Sequence, residues 1–99
     1  MIDRQLSRAI VIFVWGTHGR PWPSRDPEAV SAEYGDDALE LVPRINAIFE
    51  LVDAAPLDWS TEDLPAAIAR IESLVRAAHP ELDEAAIGAI GRQFAYNWR

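Results

Sequence analysis

The most apolar stretch of the chain, residues 9–15, predicts a buried central helix. Apolar residues recur there and just before it at the three- and four-residue spacing of one helix face, at Leu6, Ala9, Ile10, Phe13 and Val14. Asp3 stands where an N-cap is expected, and Gly16 is a natural stop. The β-branched and aromatic content of residues 10–15 leaves a strand as the alternative. We favour the helix, because the sequence shows no second strand that could pair with it.

Two further helices are predicted in the first half of the chain. Asp26 is the expected cap of a short helix, with Pro27 at its first position, and Gly35 ends that helix. A third helix is expected from about residue 36 to residue 54, where apolar positions keep the helical spacing. Pro43 lies inside this pattern. Since the spacing continues across the proline, we expect one kinked helix and not two.

The second half of the chain predicts a fourth and a fifth helix. Ser60 or Thr61 is the expected cap of the fourth helix, with Trp59 and Leu64 as a hydrophobic staple across its start. Its buried stripe is predicted to comprise Leu64, Ile68, Ile71, Leu74, Val75 and Ala78. Asp83 is the expected cap of the fifth helix. Its buried ridge is predicted to comprise Ile87, Ile90, Phe94 and Trp98.

The surface of these helices offers two ion pairs at the i, i+4 spacing that favours them. The expected pairs are Glu40 with Arg44 and Glu72 with Arg76. All of these signals together predict an all-α fold for residues 1–99. We expect a single helical domain, a small bundle of four main helices plus one short helix, in which short connections make neighbours antiparallel.

Two glycines inside the last helix, Gly88 and Gly91, each lower helix stability by about 1 kcal/mol relative to alanine. A close approach by another backbone is the natural compensation. The approaching element is either the first helix of the same chain or a helix of a second copy. The sequence therefore allows a homodimer through Gly88 and Gly91.

Charge is unevenly distributed along the chain, whose net charge is −7. Residues 1–25 hold four arginines against Asp3 alone, a local charge of +3. Residues 26–99 hold fifteen acids against five arginines, a local charge of −10. An acidic body repels phosphate backbones, so we expect no nucleic-acid binding. It attracts basic surfaces, which favours a basic protein partner.

The loop from Gly16 to Asp26 differs in character from the rest of the chain. It gathers His18, Arg20, Trp22 and Arg25, with prolines on both sides of the tryptophan. Two interpretations of this loop are possible, and both can hold at once. In the first, Trp22 is a lid that folds back over the core. In the second, the four residues form a binding site, since arginine and tryptophan are enriched in binding hot spots.

Catalytic, metal and nucleotide motifs are absent from the sequence. There is no cysteine, and the glycines of the loop lack the lysine and serine of a phosphate-binding loop. His18 with Asp26 or Asp36 is the only acid–base pairing that the sequence suggests. We therefore expect no cofactor and no metal site. No apolar run approaches the roughly 20 residues of a membrane span, and we expect a cytoplasmic protein without membrane contact.

These observations favour a non-enzymatic protein. We expect a small acidic helical protein that acts as a protein-interaction or partner-neutralising module. The alternative is a binder of a small molecule or peptide that uses the loop of residues 16–26. A small enzyme with His18 in its site is the weakest of the three hypotheses.

Overall fold

The computed structural model describes residues 1–58 and 60–97, and within these ranges it contains α-helices and no β-strand. The helices are α1 (Arg4–Trp15), α2 (Pro27–Tyr34), α3 (Ala38–Asp53), α4 (Leu64–Ala78) and α5 (Glu84–Asn97). A single 3-10 turn, Gly35–Asp37, joins α2 to α3. The predicted all-α fold, with four longer helices and one short one, is confirmed. Residues 10–15 are helical.

Helix α1 lies at the centre of the core. Ala9, Ile10 and Val14 are completely buried, and the helix packs against α2, α3 and α5. The rings of Phe13 and Phe49 lie 5.3 Å apart between their centroids, so they join α1 to α3. As predicted, the Asp3 side chain caps the helix by accepting a hydrogen bond from the backbone N–H of Leu6. Burial of this stripe, more than helix propensity, stabilises α1.

Helices that follow each other closely in the chain run antiparallel, as their short connections require. Helices α1 and α5, which are distant in sequence, run side by side in the same direction. The backbone N–H of Asp83, which precedes α5, donates to the buried Ser7 hydroxyl near the start of α1. At the other end, Trp15 of α1 lines one groove together with Arg92 of α5. The two helices are therefore aligned along their whole length.

Helix α3 continues through Pro43, as predicted. Proline has no N–H, so residue 43 donates no hydrogen bond to the carbonyl of Leu39 one turn earlier. The Leu39 side chain is 79% exposed. Pro43 is exposed as well, so water or a ligand can reach this turn of the helix.

The start of α4 differs from the prediction. Asp63 is the N-cap, and its side chain accepts from the backbone N–H of Ala66 at 2.9 Å. Ser60 and Thr61 do not cap the helix, because both form a turn with Asp58. The Asp58 side chain accepts hydrogen bonds from the backbone N–H and the hydroxyl of Ser60. The Asp58 carbonyl accepts from the backbone N–H and the hydroxyl of Thr61. Trp59, and with it the predicted staple to Leu64, lies outside the described residues.

The buried face of α4 is also rotated from the predicted stripe. Ala67, Ile71 and Val75 are fully buried, whereas Leu64, Ile68 and Leu74 are only partly buried and Ala78 is exposed. Leu64 and Ile68 still pack against the core from the edge of this face.

Helix α5 confirms its predicted cap and corrects the interpretation of its glycines. The Asp83 side chain accepts from the backbone N–H of Ala86 at 2.9 Å. Ile87, Ile90 and Phe94 are buried as predicted, and Trp98 lies outside the described residues. Gly91 is buried, and the atoms nearest to a Cβ built there belong to Glu72 of α4, while a Cβ on Gly88 would meet no atom within 4 Å.

The surface arginines form ion pairs between helices or their ends, not the predicted pairs within a helix. Arg44 pairs with Asp3 at 3.3 Å, and Arg76 pairs with Glu84 at 2.8 Å. Both therefore connect parts of the chain that lie far apart in sequence or in different helices. None of the described helices is both long enough and apolar enough to cross a bilayer.

Candidate functional site

The loop of residues 16–26 is fastened to the end of α1 by backbone hydrogen bonds. Arg20 donates from its N–H to the Trp15 carbonyl at 2.6 Å, and Ser24 donates to the Val14 carbonyl at 2.8 Å. The chain can reverse here because Gly16 has a φ of +82°, in the left-handed region that favours glycine. The loop is therefore an ordered extension of the core.

Arg20 closes this loop from within. Its guanidinium group pairs with Asp26 at 2.8 Å, and it also donates to the Ser24 hydroxyl and to the Val14 carbonyl. The hydrogen bond from Arg20 lowers the pKa of Asp26, while the partial burial of that carboxyl opposes the shift. The sequence alone left Arg20 available to a ligand. In the structure its two terminal nitrogens donate to the loop and to the end of α1.

Arg25 joins the loop to α3 and α5. Two of its guanidinium nitrogens donate to the two carboxylate oxygens of Asp53, at 2.8 and 2.7 Å. Its Nε donates to the Gln93 side-chain oxygen at 3.1 Å, and the guanidinium lies 4.6 Å from the centroid of the Phe49 ring. The hydrogen bond from Arg25 is the main cause of the lowered pKa of Asp53. Arg25 is therefore a structural cross-link.

Trp22 is half exposed, at 50%, and Pro23 beside it is buried. Trp22, Trp15, Leu64, Arg92 and Tyr96 line a groove of about 550 Å³. The structure therefore agrees only in part with the lid interpretation. Pro23 is the buried residue of this part of the loop, whereas Trp22 lines an open groove.

His18 is exposed in the same loop. Its suggested partner Asp26 already accepts with both carboxylate oxygens, one from Arg20 and one from the backbone N–H of Ala29. The four residues predicted as a binding site therefore do not converge. Arg20 and Arg25 point into internal contacts, and only Trp22 of the four has half its surface open beside a groove.

A second surface was not identified from the sequence. Helices α2 and α3 enclose an open groove of about 400 Å³, which we call the acidic groove. The residues that line it are Pro27, Ser31, Gly35, Asp36, Ala38, Leu39, Val42 and Pro43. Leu39 is the large apolar side chain with the greatest exposure among the described helical residues. Leu39 falls outside the helical spacing that predicts the buried face of α3, and this sequence signal indicates its exposure; the residues at that spacing are Ala38, Leu41, Val42, Ile45, Ile48, Phe49 and Val52.

The charge around the acidic groove is of one sign. Between Arg25 and Arg44 the chain has six carboxylates and no basic residue. Asp26 is neutralised by Arg20, and Asp37 accepts from the Gln5 amide. The other four are exposed, and within the described ranges none of them forms a salt bridge: Glu28, Glu33, Asp36 and Glu40.

Metal-binding chemistry finds no support in the part of the chain that the structure describes, which holds no cluster of three or more histidines or acids suited to an ion. Comparison of the chain with protein-family models, with curated proteins and with solved structures finds no match.

Proposed function

We propose that this protein is a protein-interaction module that binds a basic partner protein through its acidic groove. The observation that carries the proposal is Leu39, a 79% exposed leucine in a groove whose neighbouring carboxylates, Asp36 and Glu40 among them, have no basic partner in the described chain. Solvent-exposed leucines are common singly. A leucine beside a groove and within a field of one sign is a more specific arrangement.

The groove combines three kinds of contact. Covering the Leu39 side chain contributes about 2 kcal/mol of hydrophobic free energy. The carboxylates attract a basic surface and speed its approach, with less effect on final affinity. The Leu39 carbonyl, which receives no hydrogen bond from Pro43, can accept one from an arginine or lysine of the partner. All three favour a partner with an apolar residue surrounded by basic side chains.

The alternative function is binding of a small molecule or peptide at the Trp22 groove. Trp22 and Tyr96 offer aromatic surface there, and Arg92 offers a cation suited to an anionic or aromatic ligand. We rank this second, because Arg20 and Arg25, two of the cations that the hypothesis needs, are bound within the fold. A catalytic role for His18 has less support, since Asp26 already accepts from Arg20 and Ala29. Within the described ranges, His18 also forms no hydrogen bond or salt bridge with Asp36.

The experiment is affinity capture from the cells that produce the protein, followed by measurement of the purified complex. Leu39→Ser and Glu40→Lys should each weaken the complex at least tenfold. Glu50→Lys is the matched control: it makes the same charge change on the same helix, eleven residues and roughly 16 Å from Leu39. It should leave affinity within about threefold. Equal effects of Glu40→Lys and Glu50→Lys would mean that net charge, not the groove, attracts the partner.

The Trp22 groove has its own test in the same assay. If Trp22→Ala abolishes the complex while Leu39→Ser leaves it intact, the interaction surface is the Trp22 groove and the proposal is wrong. Circular dichroism and melting temperature of every variant establish that lost binding is not lost folding.

A further inference from the structure

The ion pairs of this protein separate its arginines into two groups. Five of them form salt bridges, namely Arg20, Arg25, Arg44, Arg70 and Arg76. Three others, Arg4, Arg8 and Arg92, are exposed and lie within salt-bridge distance of no acid in the described residues. These three occur only on α1 and α5. Among the described residues, the arginines without a salt bridge are therefore confined to the surface of one helix pair.

That surface contains a groove of about 620 Å³ at the start of α1 and α5. We call it the basic groove. Ile2, Val11 and Ala85 give it an apolar floor, and Arg4 and Arg8 stand at its edge. The only carboxylate in its lining is Asp83, which is engaged as the cap of α5. The groove therefore combines apolar surface with two arginines that form no salt bridge, although Arg8 also interacts with the Tyr34 hydroxyl of α2.

The acidic groove has the complementary character. Its lining includes the exposed Leu39 and the carboxylate of Asp36, and Glu40 follows Leu39 in the chain; neither acid forms a salt bridge among the described residues. The groove lies on α2 and α3, so the two grooves share no residue. We propose that a second copy of this chain docks its acidic groove against the basic groove, with Leu39 of one copy on the apolar floor of the other. The contact uses the same acidic groove as the proposed function, although the partner here is the chain itself.

Each copy carries a net charge of −7, so two copies repel each other at long range. We expect the attraction between opposite charges at the contact to exceed this repulsion. At physiological salt the screening length is about 8 Å, which weakens repulsion between distant charges far more than attraction between charges about 4 Å apart. Very high salt removes the contact attraction as well. Association should therefore be measurable at ~0.1 M salt and lost at ~1 M, where the screening length is about 3 Å.

Sedimentation velocity over a series of protein concentrations tests this contact on the purified full chain. The basic-groove variant is Arg4→Gln with Arg8→Gln. The acidic-groove variant is Leu39→Ser with Glu40→Gln. Each should remain a monomer where the wild type associates. Because each variant keeps one intact groove, an equimolar mixture should form a 1:1 complex. Contacts between two acidic grooves or between two basic grooves predict no such rescue.

Charge-matched controls accompany both variants. Ala69→Glu with Ala77→Glu, on exposed positions of α4, lowers the net charge by the same two units as the basic-groove variant. Glu50→Gln raises it by one unit, as the acidic-groove variant does. Both controls should associate like the wild type.

A wild type that sediments as a monomer at every concentration overturns the inference, as does an equimolar mixture that stays monomeric. Failure of the proposed function is distinguishable from this. If the wild type does not self-associate but Glu40→Lys still releases the captured partner, the inference fails and the proposed function stands. If the chain self-associates and Leu39→Ser leaves partner binding unchanged, the reverse holds.

Discussion

Replacing Arg25 by alanine should destabilise the fold by about 2 kcal/mol, although sequence alone suggested that this residue was free to bind a ligand. Its stacking on the Phe49 ring contributes roughly 0.5–2 kcal/mol. The two hydrogen bonds to Asp53 contribute about 0.5–1 kcal/mol, because both side chains are partly exposed, at 30% and 56%. Gln93 is buried, but its oxygen still accepts from Asn97 after the substitution. Loss of the hydrogen bond between Arg25 and Gln93 therefore lowers the free energy of unfolding only slightly.

The assay is thermal unfolding followed by circular dichroism, with urea unfolding to give the free energy directly. A loss of about 2 kcal/mol in a domain of this size lowers the midpoint by roughly 8–16 °C. Arg92→Ala is the control, since Arg92 is exposed and lies near no carboxylate of the described residues; it should change stability by less than about 0.5 kcal/mol. If Arg25→Ala and Arg92→Ala melt together, Arg25 is not the cross-link between the loop, α3 and α5.

Three further predictions concern the core, the last helix and acid stability. Phe13→Ala should cost about 3–5 kcal/mol in urea unfolding, as for a buried aromatic; an unchanged midpoint would place α1 outside the core. Gly88→Ala should stabilise α5 by about 0.5–1 kcal/mol. Gly91→Ala should stabilise the protein less, or destabilise it, because the new Cβ meets the Glu72 carboxylate. Equal melting temperatures of the two variants would contradict this. The lowered pKa of Asp53 gives stability that is present above its unfolded value of about 3.9 and is lost as pH falls through the lower folded value. The gap between wild type and Arg25→Ala should therefore narrow in acid, and a constant gap down to pH ~2 would refute the assignment of that shift to Arg25.

Local signals in the sequence predict the helices well. Asp3, Asp26 and Asp83 act as caps because each needs only a backbone N–H three residues ahead. The cap of α4 was mispredicted for the same local reason. Ser60 and Thr61 have the right chemistry, but Asp58 draws them into a turn first, and Asp63 then becomes the next available cap. Competition between neighbouring acceptors is not encoded in a spacing rule.

The partners of the arginines could not be predicted in this way. An i, i+4 pair is worth only about 0.3–0.5 kcal/mol, so tertiary geometry readily overrides it, as it does for Arg44 and Arg76. The sequence shows the guanidinium groups of the loop but not their carboxylates. Asp53 lies 28 residues from Arg25, and only the packing of α3 beside the loop brings them together. A cluster of arginine, histidine and tryptophan is therefore a weak signal for a binding site while internal partners are unknown.

The charged side chains that form no salt bridge are unevenly distributed over the surface, which the net charge alone does not reveal. Among the described residues, the arginines without a salt bridge lie on α1 and α5, whereas six carboxylates without one lie from α2 to α3, so the two helix pairs carry opposite signs. If the acidic groove serves both a second copy and a basic partner, the two cannot occupy it together. Self-association should then weaken as the partner is added, and by linkage the partner should bind more weakly at high protein concentration. The partner's apparent affinity for wild type should therefore depend on concentration, and its affinity for Arg4→Gln with Arg8→Gln should not, because that variant keeps the acidic groove and has lost the competing surface.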